Sequence, residues 1–102
     1  MSKGRGYLSV RATVDDSIDK QRFDDWYETV HVPDVIQRLR ATTAYRMWSI
    51  DDPNVHYAIY EFNSLDTLLT QVAGPDMQEL IADFDAAWGV HVGRERTLLR
   101  GA

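Results

Sequence analysis

The sequence predicts an α+β fold of element order β-α-β-β-α-β, the split βαβ arrangement of ferredoxin-like domains, with an antiparallel sheet and helices on one face. Three observations carry that prediction. β-formers alternate over 7–14, 42–50 and 55–62. Apolar residues recur at helical spacing between and after those stretches. The tetrapeptide "DDPN" (51–54) joins the two middle strands as a turn.

Each element has its own local reason. In "YLSVRATV" (7–14), Leu8, Val10, Ala12 and Val14 share one face. "DDSID" (15–19) supplies capping side chains for a helix start. Phe23, Trp26, Tyr27 and Val30 then fall at i, i+3, i+4 and i+7, one apolar stripe. Pro33 disfavours α geometry at Val32, so a break is expected at His31–Val32, with a short helix from Pro33 through Leu39. "TTAYRMWSI" (42–50) and "VHYAIYEF" (55–62) form a hairpin. Leu65, Leu68, Leu69 and Val72 mark the next helix, which Gly74-Pro75 closes while opening another. Met77, Leu80, Ile81, Phe84 and Trp88 stripe that last helix up to Gly89, and "VHVGRERTLL" (90–99) is the final strand.

With 102 residues, 44% hydrophobic and 26% charged, the chain reads as one globular domain over 1–102. The net charge of −5 argues against a nucleic-acid partner, whose binding rests on clustered Lys and Arg. Arg94, Arg96 and Arg100 do gather near the end, but Glu95 interrupts them, and a solvated strand face is expected there rather than an anion site. The absence of cysteine removes disulfides, thiolate metal sites and cysteine nucleophiles. No stretch reads as a signal peptide or a membrane span, so the expected address is cytoplasmic with no membrane partner.

The hairpin adds an expectation about assembly. Tyr45 and Met47 alternate with Arg46 and Trp48, and Tyr57 and Ile59 alternate with His56, Ala58, Tyr60 and Phe62. Both faces of these strands carry large apolar groups, although helices cover only one. A homodimer through sheet-to-sheet packing would cover the other.

This architecture, with "FDDWYETVHVPDV" (23–35) after the first strand, resembles the dimeric α/β-barrel superfamily, closest to its EthD-like branch and related small bacterial proteins of unassigned role. Phe23, Trp26, Tyr27, His31 and Pro33 carry the resemblance, with Asp34 where Asp or Glu is usual. "HYAIYEF" (56–62) and "FDAAWGVHVGRER" (84–96) extend it across the chain. The segment "LRATTAY" (39–45) departs from it, lacking the Pro-Gly loop often found before the second strand. The resemblance implies a homodimeric barrel with a pocket between helices and sheet in each subunit. Relatives include cofactor-free monooxygenases, lactone isomerases, polyketide cyclases, dehydratases and haem enzymes, so fold leaves activity open.

His31 follows Tyr27 by one helical turn, and with an ordinary pKa of about 6.5 an imidazole can exchange protons near neutrality. Asp34 is placed to orient it, and Tyr27 to donate its hydroxyl to a substrate oxygen. A second reading stands beside this one: His31 caps its helix and Asp34 only begins the next. His56 and His91 belong to no ligand set, and no metal spacing occurs. Haem is suggested only by the resemblance, with His31 as axial ligand and no attachment signature; no phosphate-cradling loop is present either, so no cofactor is expected.

Trp26, Trp48, Tyr60, Phe62, Phe84 and Trp88 form an aromatic inventory large enough to line a pocket for a flat ligand, with Arg46 and Arg96 to pair its carboxylate or phenolate. Core and dimer interface are the plainer use of the same rings. The sequence therefore leads to a cofactor-independent enzyme acting on a hydrophobic or aromatic metabolite by proton transfer, of the isomerase, cyclase, dehydratase or lyase type. A cofactor-free monooxygenase and a non-catalytic small-molecule-binding dimer are the alternatives.

Overall fold

A computed structural model of the chain describes residues 4–102. The order is β1 (Gly6–Val14), α1 (Lys20–Trp26), a π-helical turn (Tyr27–His31), α2 (Val32–Leu39), β2 (Thr43–Trp48), β3 (Val55–Phe62), α3 (Leu65–Val72), α4 (Pro75–Trp88), a 3-10 turn (Gly89–His91) and β4 (Val92–Arg100). The four strands form one antiparallel sheet ordered β2-β3-β1-β4. Helices pack on one face of it, as the ferredoxin-like reading requires.

Register assigns the two faces. Leu8 opposes Tyr60 and Leu98, Val10 opposes Ala58 and Arg96, and Ala12 opposes His56 and Arg94. These residues therefore share the helix-covered face, because directly opposed side chains point the same way. Phe23, Tyr27, Leu39, Leu68 and Phe84 close over them from the helices, all buried. The other face carries Tyr45, Met47, Tyr57, Ile59 and Leu99, of which Tyr45 is 51% exposed and Met47 46%.

Local chemistry explains the element ends. Asp19 caps α1 by accepting from the Gln21 and Arg22 amides at 3.0 and 3.2 Å. Ser64 does the same for α3 through the Thr67 amide at 3.1 Å. Gly6 is buried where α3 meets β1; a Cβ there would lie 2.8 Å from Cβ of Leu68, so the close approach requires glycine.

The expected break at His31–Val32 does not occur. His31 (φ −72°, ψ −48°) and Val32 (φ −60°, ψ −48°) stay helical, and the Val32 amide donates to the Tyr27 carbonyl five residues back. Pro33 offers no N–H and its ring would collide with the carbonyl four residues before it. The chain answers by widening one turn instead of ending the helix. The wider turn also removes Val30 from the predicted stripe: it is 45% exposed, while His31 comes round over Tyr27. The last strand starts at Val92, two residues later than expected, after the 3-10 turn.

Candidate active site

The π turn decides the site. By carrying His31 round to the buried side, it brings the imidazole to 4.9 Å from the Tyr27 ring, centroid to centroid, at 77° between planes. Trp26 stacks on the other side of His31 at 5.0 Å and 15°, and Phe84 meets it edge-on at 5.4 Å. Three aromatic rings thus fix the imidazole. No hydrogen bond or ion pair joins it to another described side chain.

This imidazole lines a cavity between sheet and helices. Leu8 and Val10 of β1 and Tyr60 of β3 form its floor; Tyr27, Val35, Leu39, Met77, Leu80, Ile81 and Phe84 form its roof; Arg94 and Arg96 stand on the β4 side. The cavity gives water-sized molecules about 30 Å³ for their centres, and its empty space with the solvent at the open mouth is about 340 Å³. That is room for a water or two, since one needs at least ~10–15 Å³. A larger ligand therefore occupies the mouth or parts α2 from α4.

The polar groups of this cavity are unusual for their burial. The hydroxyls of Tyr27 and Tyr60 are both buried and neither has a hydrogen-bond partner. They lie near enough to perturb one another, but without hydrogen-bond geometry. Burial raises both phenols above the ordinary tyrosine value, Tyr60 well above it, so both remain protonated donors near neutrality. Burial, followed by the nearby Arg94 and Arg96 charges, lowers His31 from 6.5 to about 4. At neutral pH the imidazole is uncharged.

Arg94 reaches the cavity through a fixed route. Its guanidinium lies 4.0 Å from the Phe84 ring centroid and pairs with Asp85. Its side chain is only 11% exposed, so the expectation of a solvated strand face fails at Arg94. Alternation on β4 was the available signal: Arg94 and Arg96 oppose the small residues Ala12 and Val10, which leaves room above the sheet for long side chains. Arg100, beyond the cavity lining, is exposed.

Of the residues singled out in the sequence, Tyr27, His31, Tyr60, Phe84 and Arg96 line the cavity and Trp26 supports it from behind His31. Asp34 does not line it and shares no hydrogen bond or ion pair with His31, against which the Trp26 ring stacks. Phe62 and Trp88 belong to the core. Arg46 and Trp48 face a separate network behind Tyr27. There Arg46 donates to Asp24 at 2.7 Å, to Glu28 at 3.0 Å and to Nε2 of His56 at 3.3 Å, and Trp48 Nε1 donates to Asp24 at 2.9 Å. The Asp24 carboxyl is held below its ordinary value by the Trp48 and Arg46 donors.

The sequence makes His56 a weaker candidate than His31. The His56 ring is fully buried 4.5 Å from that of Tyr27, and burial lowers it to about 4. With Nε2 accepting from Arg46, its proton sits on Nδ1, which has no partner. Nothing in its strand alternation separates it from an ordinary core position. His91 lies on the surface 3.6 Å from Asp15.

Among the described residues, no group of three or more His, Cys, Asp or Glu side chains is placed to hold a metal ion. A haem fits poorly, because the cavity beside His31 has room for a water or two and none for a porphyrin. No described helix is long and apolar enough to cross a membrane.

The class defined by these features is a ferredoxin-like α+β fold with a cavity between helices and sheet. Solved structures carry the same fold. A variant of SnoaB, a cofactor-independent oxygenase from Streptomyces nogalater, superposes with a TM-score of 0.71 at 14% identity, over 96% of this chain and 93% of that one. An EthD family protein from Bacillus halodurans gives 0.67 at 13%, over 94% and 99%. A conserved protein from Methanosarcina mazei gives 0.65 at 9%, over 97% and 95%. The ferredoxin-like fold they share with this chain is the one the sequence predicts. No family model and no curated protein matches the chain.

Proposed function

We propose that the chain is a small cofactor-independent enzyme that transfers a proton on a hydrophobic or aromatic metabolite, as an isomerase, cyclase, dehydratase or lyase. One observation supports this reading: two buried tyrosines whose hydroxyls have no hydrogen-bond partner, and an uncharged imidazole, line one cavity. An unpaired buried hydroxyl is destabilising by roughly 1–3 kcal/mol, and a substrate oxygen removes that penalty. Tyr27 and Tyr60 would donate to an oxygen on which negative charge develops. His31, held by Trp26, would accept the proton from the adjacent carbon. The exposed apolar face bearing Tyr45 and Met47 would close against a second copy.

A cofactor-free monooxygenase begins with the same proton removal, after which the carbanion meets oxygen. The likeness to SnoaB favours keeping that reading.

The test is deuterium exchange from D2O into the acidic carbon of aromatic ketones and lactones. Exchange that depends on the protein, and is lost in His31→Ala and weakened in Tyr60→Phe, supports proton transfer. Oxygen uptake with the same substrate selects the monooxygenase. Ligand binding with neither exchange nor oxygen uptake leaves a binding protein.

A further inference from the structure

We propose that Arg94 and Arg96 form an anion-recognition subsite at the mouth of this cavity, and that the natural ligand is a small carboxylate whose apolar body enters between α2 and α4. The inference rests on the small-molecule reading above and adds the chemical class of the molecule.

Charge is the first argument. The chain has 16 acidic residues against 11 basic ones, and its half-buried arginines are matched by carboxylates, Arg94 by Asp85 among them, whereas Arg96 is exposed. Arg38 is surrounded by Asp76, Glu79 and Asp83, and Arg46 by Asp24 and Glu28. The cavity differs from those surroundings in the sign of its ions. Its lining contains two arginines and no acid, and with His31 uncharged those arginines are its only ions. Arg94 has Asp85 as partner, whereas Arg96 pairs with none of the described carboxylates.

Geometry is the second. Arg94 and Arg96 are two residues apart on the same face of β4, so their side chains rise side by side. Burial, and after it the neighbouring Arg96 charge, makes the Arg94 cation less favourable. Two adjacent like charges beside apolar walls are relieved by an anion between them. Phe84 and Asp85 hold Arg94 in place, which leaves Arg96 as the exposed arm without an ion pair. A planar carboxylate suits paired guanidinium forks, and the Leu80, Ile81 and Met77 side chains suit an uncharged hydrocarbon body.

The subsite also bears on His31. Arg94 and Arg96 both weaken its basicity, so a carboxylate bound between them makes the imidazole a stronger base only when ligand is present.

The experiment uses three probes of one shape: benzoate, benzamide and benzylammonium. Each is titrated into the intact protein at low salt, following NMR signals of His31, Tyr27, Tyr60 and Ile81. The expected result is benzoate binding about tenfold tighter than benzamide, with benzylammonium excluded. In Arg96→Gln, benzoate falls to the benzamide level while benzamide is unchanged; Arg96→Lys keeps part of the preference. Equal binding of benzoate and benzamide at the cavity overturns the anion subsite and leaves the small-molecule reading intact. Benzoate affinity that survives Arg96→Gln, or shifts confined to residues outside the cavity, likewise overturns it. No shift at the cavity with any probe up to tens of millimolar overturns both.

Discussion

The Trp26 indole lies flat against the His31 imidazole, 5.0 Å away and 15° from parallel. With no hydrogen bond from Asp34, this stack, together with the Tyr27 and Phe84 rings, positions and desolvates the imidazole. Trp26→Leu is therefore expected to admit water to His31 and to raise its pKa from about 4 toward 6.5. Imidazole NMR titration of the variant checks this; an unchanged value would assign the depression to the two arginines instead.

Pro33 is the cause of the π turn, so Pro33→Ala is expected to let the helix relax to regular α geometry. An interior proline costs a helix about 3 kcal/mol or more, and thermal stability should rise by part of that. The same change rotates His31 away from Tyr27 and turns Val30 inward. Gain of stability with loss of ligand response is the expected pair, measured by thermal unfolding and by ligand titration. A stabilised variant with full response would separate the π turn from function.

Two backbone positions should respond in opposite directions. Gly6→Ala forces a Cβ against Leu68 and is expected to destabilise by roughly 1–3 kcal/mol. Arg40 ends α2 in the left-handed region, at φ 61°, so Arg40→Gly is expected to stabilise by a few tenths to about 1 kcal/mol. Urea denaturation of both variants checks the signs.

Acid sensitivity follows from the two buried imidazoles. His31 and His56 titrate at about 4 in the folded protein against 6.5 when free. Between those values the unfolded chain binds protons that the native one refuses, so stability falls as pH drops from 6.5 to about 4 and levels off below. The loss is on the order of 3 kcal/mol for each group, a large part of a domain's ~5–15 kcal/mol. Replacing His56 with Gln should flatten the urea-midpoint profile over that range. A profile level from pH 7 to 5 would show that the imidazoles are not buried in their neutral form.

Strand alternation and capping chemistry made the fold legible, because each is a short-range signal: Leu8 to Val14, the Asp19 cap, the Gly89 stop. The site was legible only where helical spacing reached it, through Tyr27 and His31. Pro33 read as a break because steric rules for proline favour stopping a helix, and only tertiary packing over Phe84 and Tyr60 decides that widening a turn is preferable. Asp34, Trp48, Phe62 and Trp88 were drawn to the pocket by residue type, which does not say which face of a helix or sheet reaches it. Arg94 and His56 depended on cross-strand register, set by pairings far apart in the chain.

The most direct measurement is the NMR titration of the His31 imidazole, alone and with aromatic and lactone ligands. An apparent pKa near 4 that moves on ligand binding is the predicted result. An ordinary titration near 6.5, indifferent to every ligand, would contradict the assignment of His31 to a functional cavity.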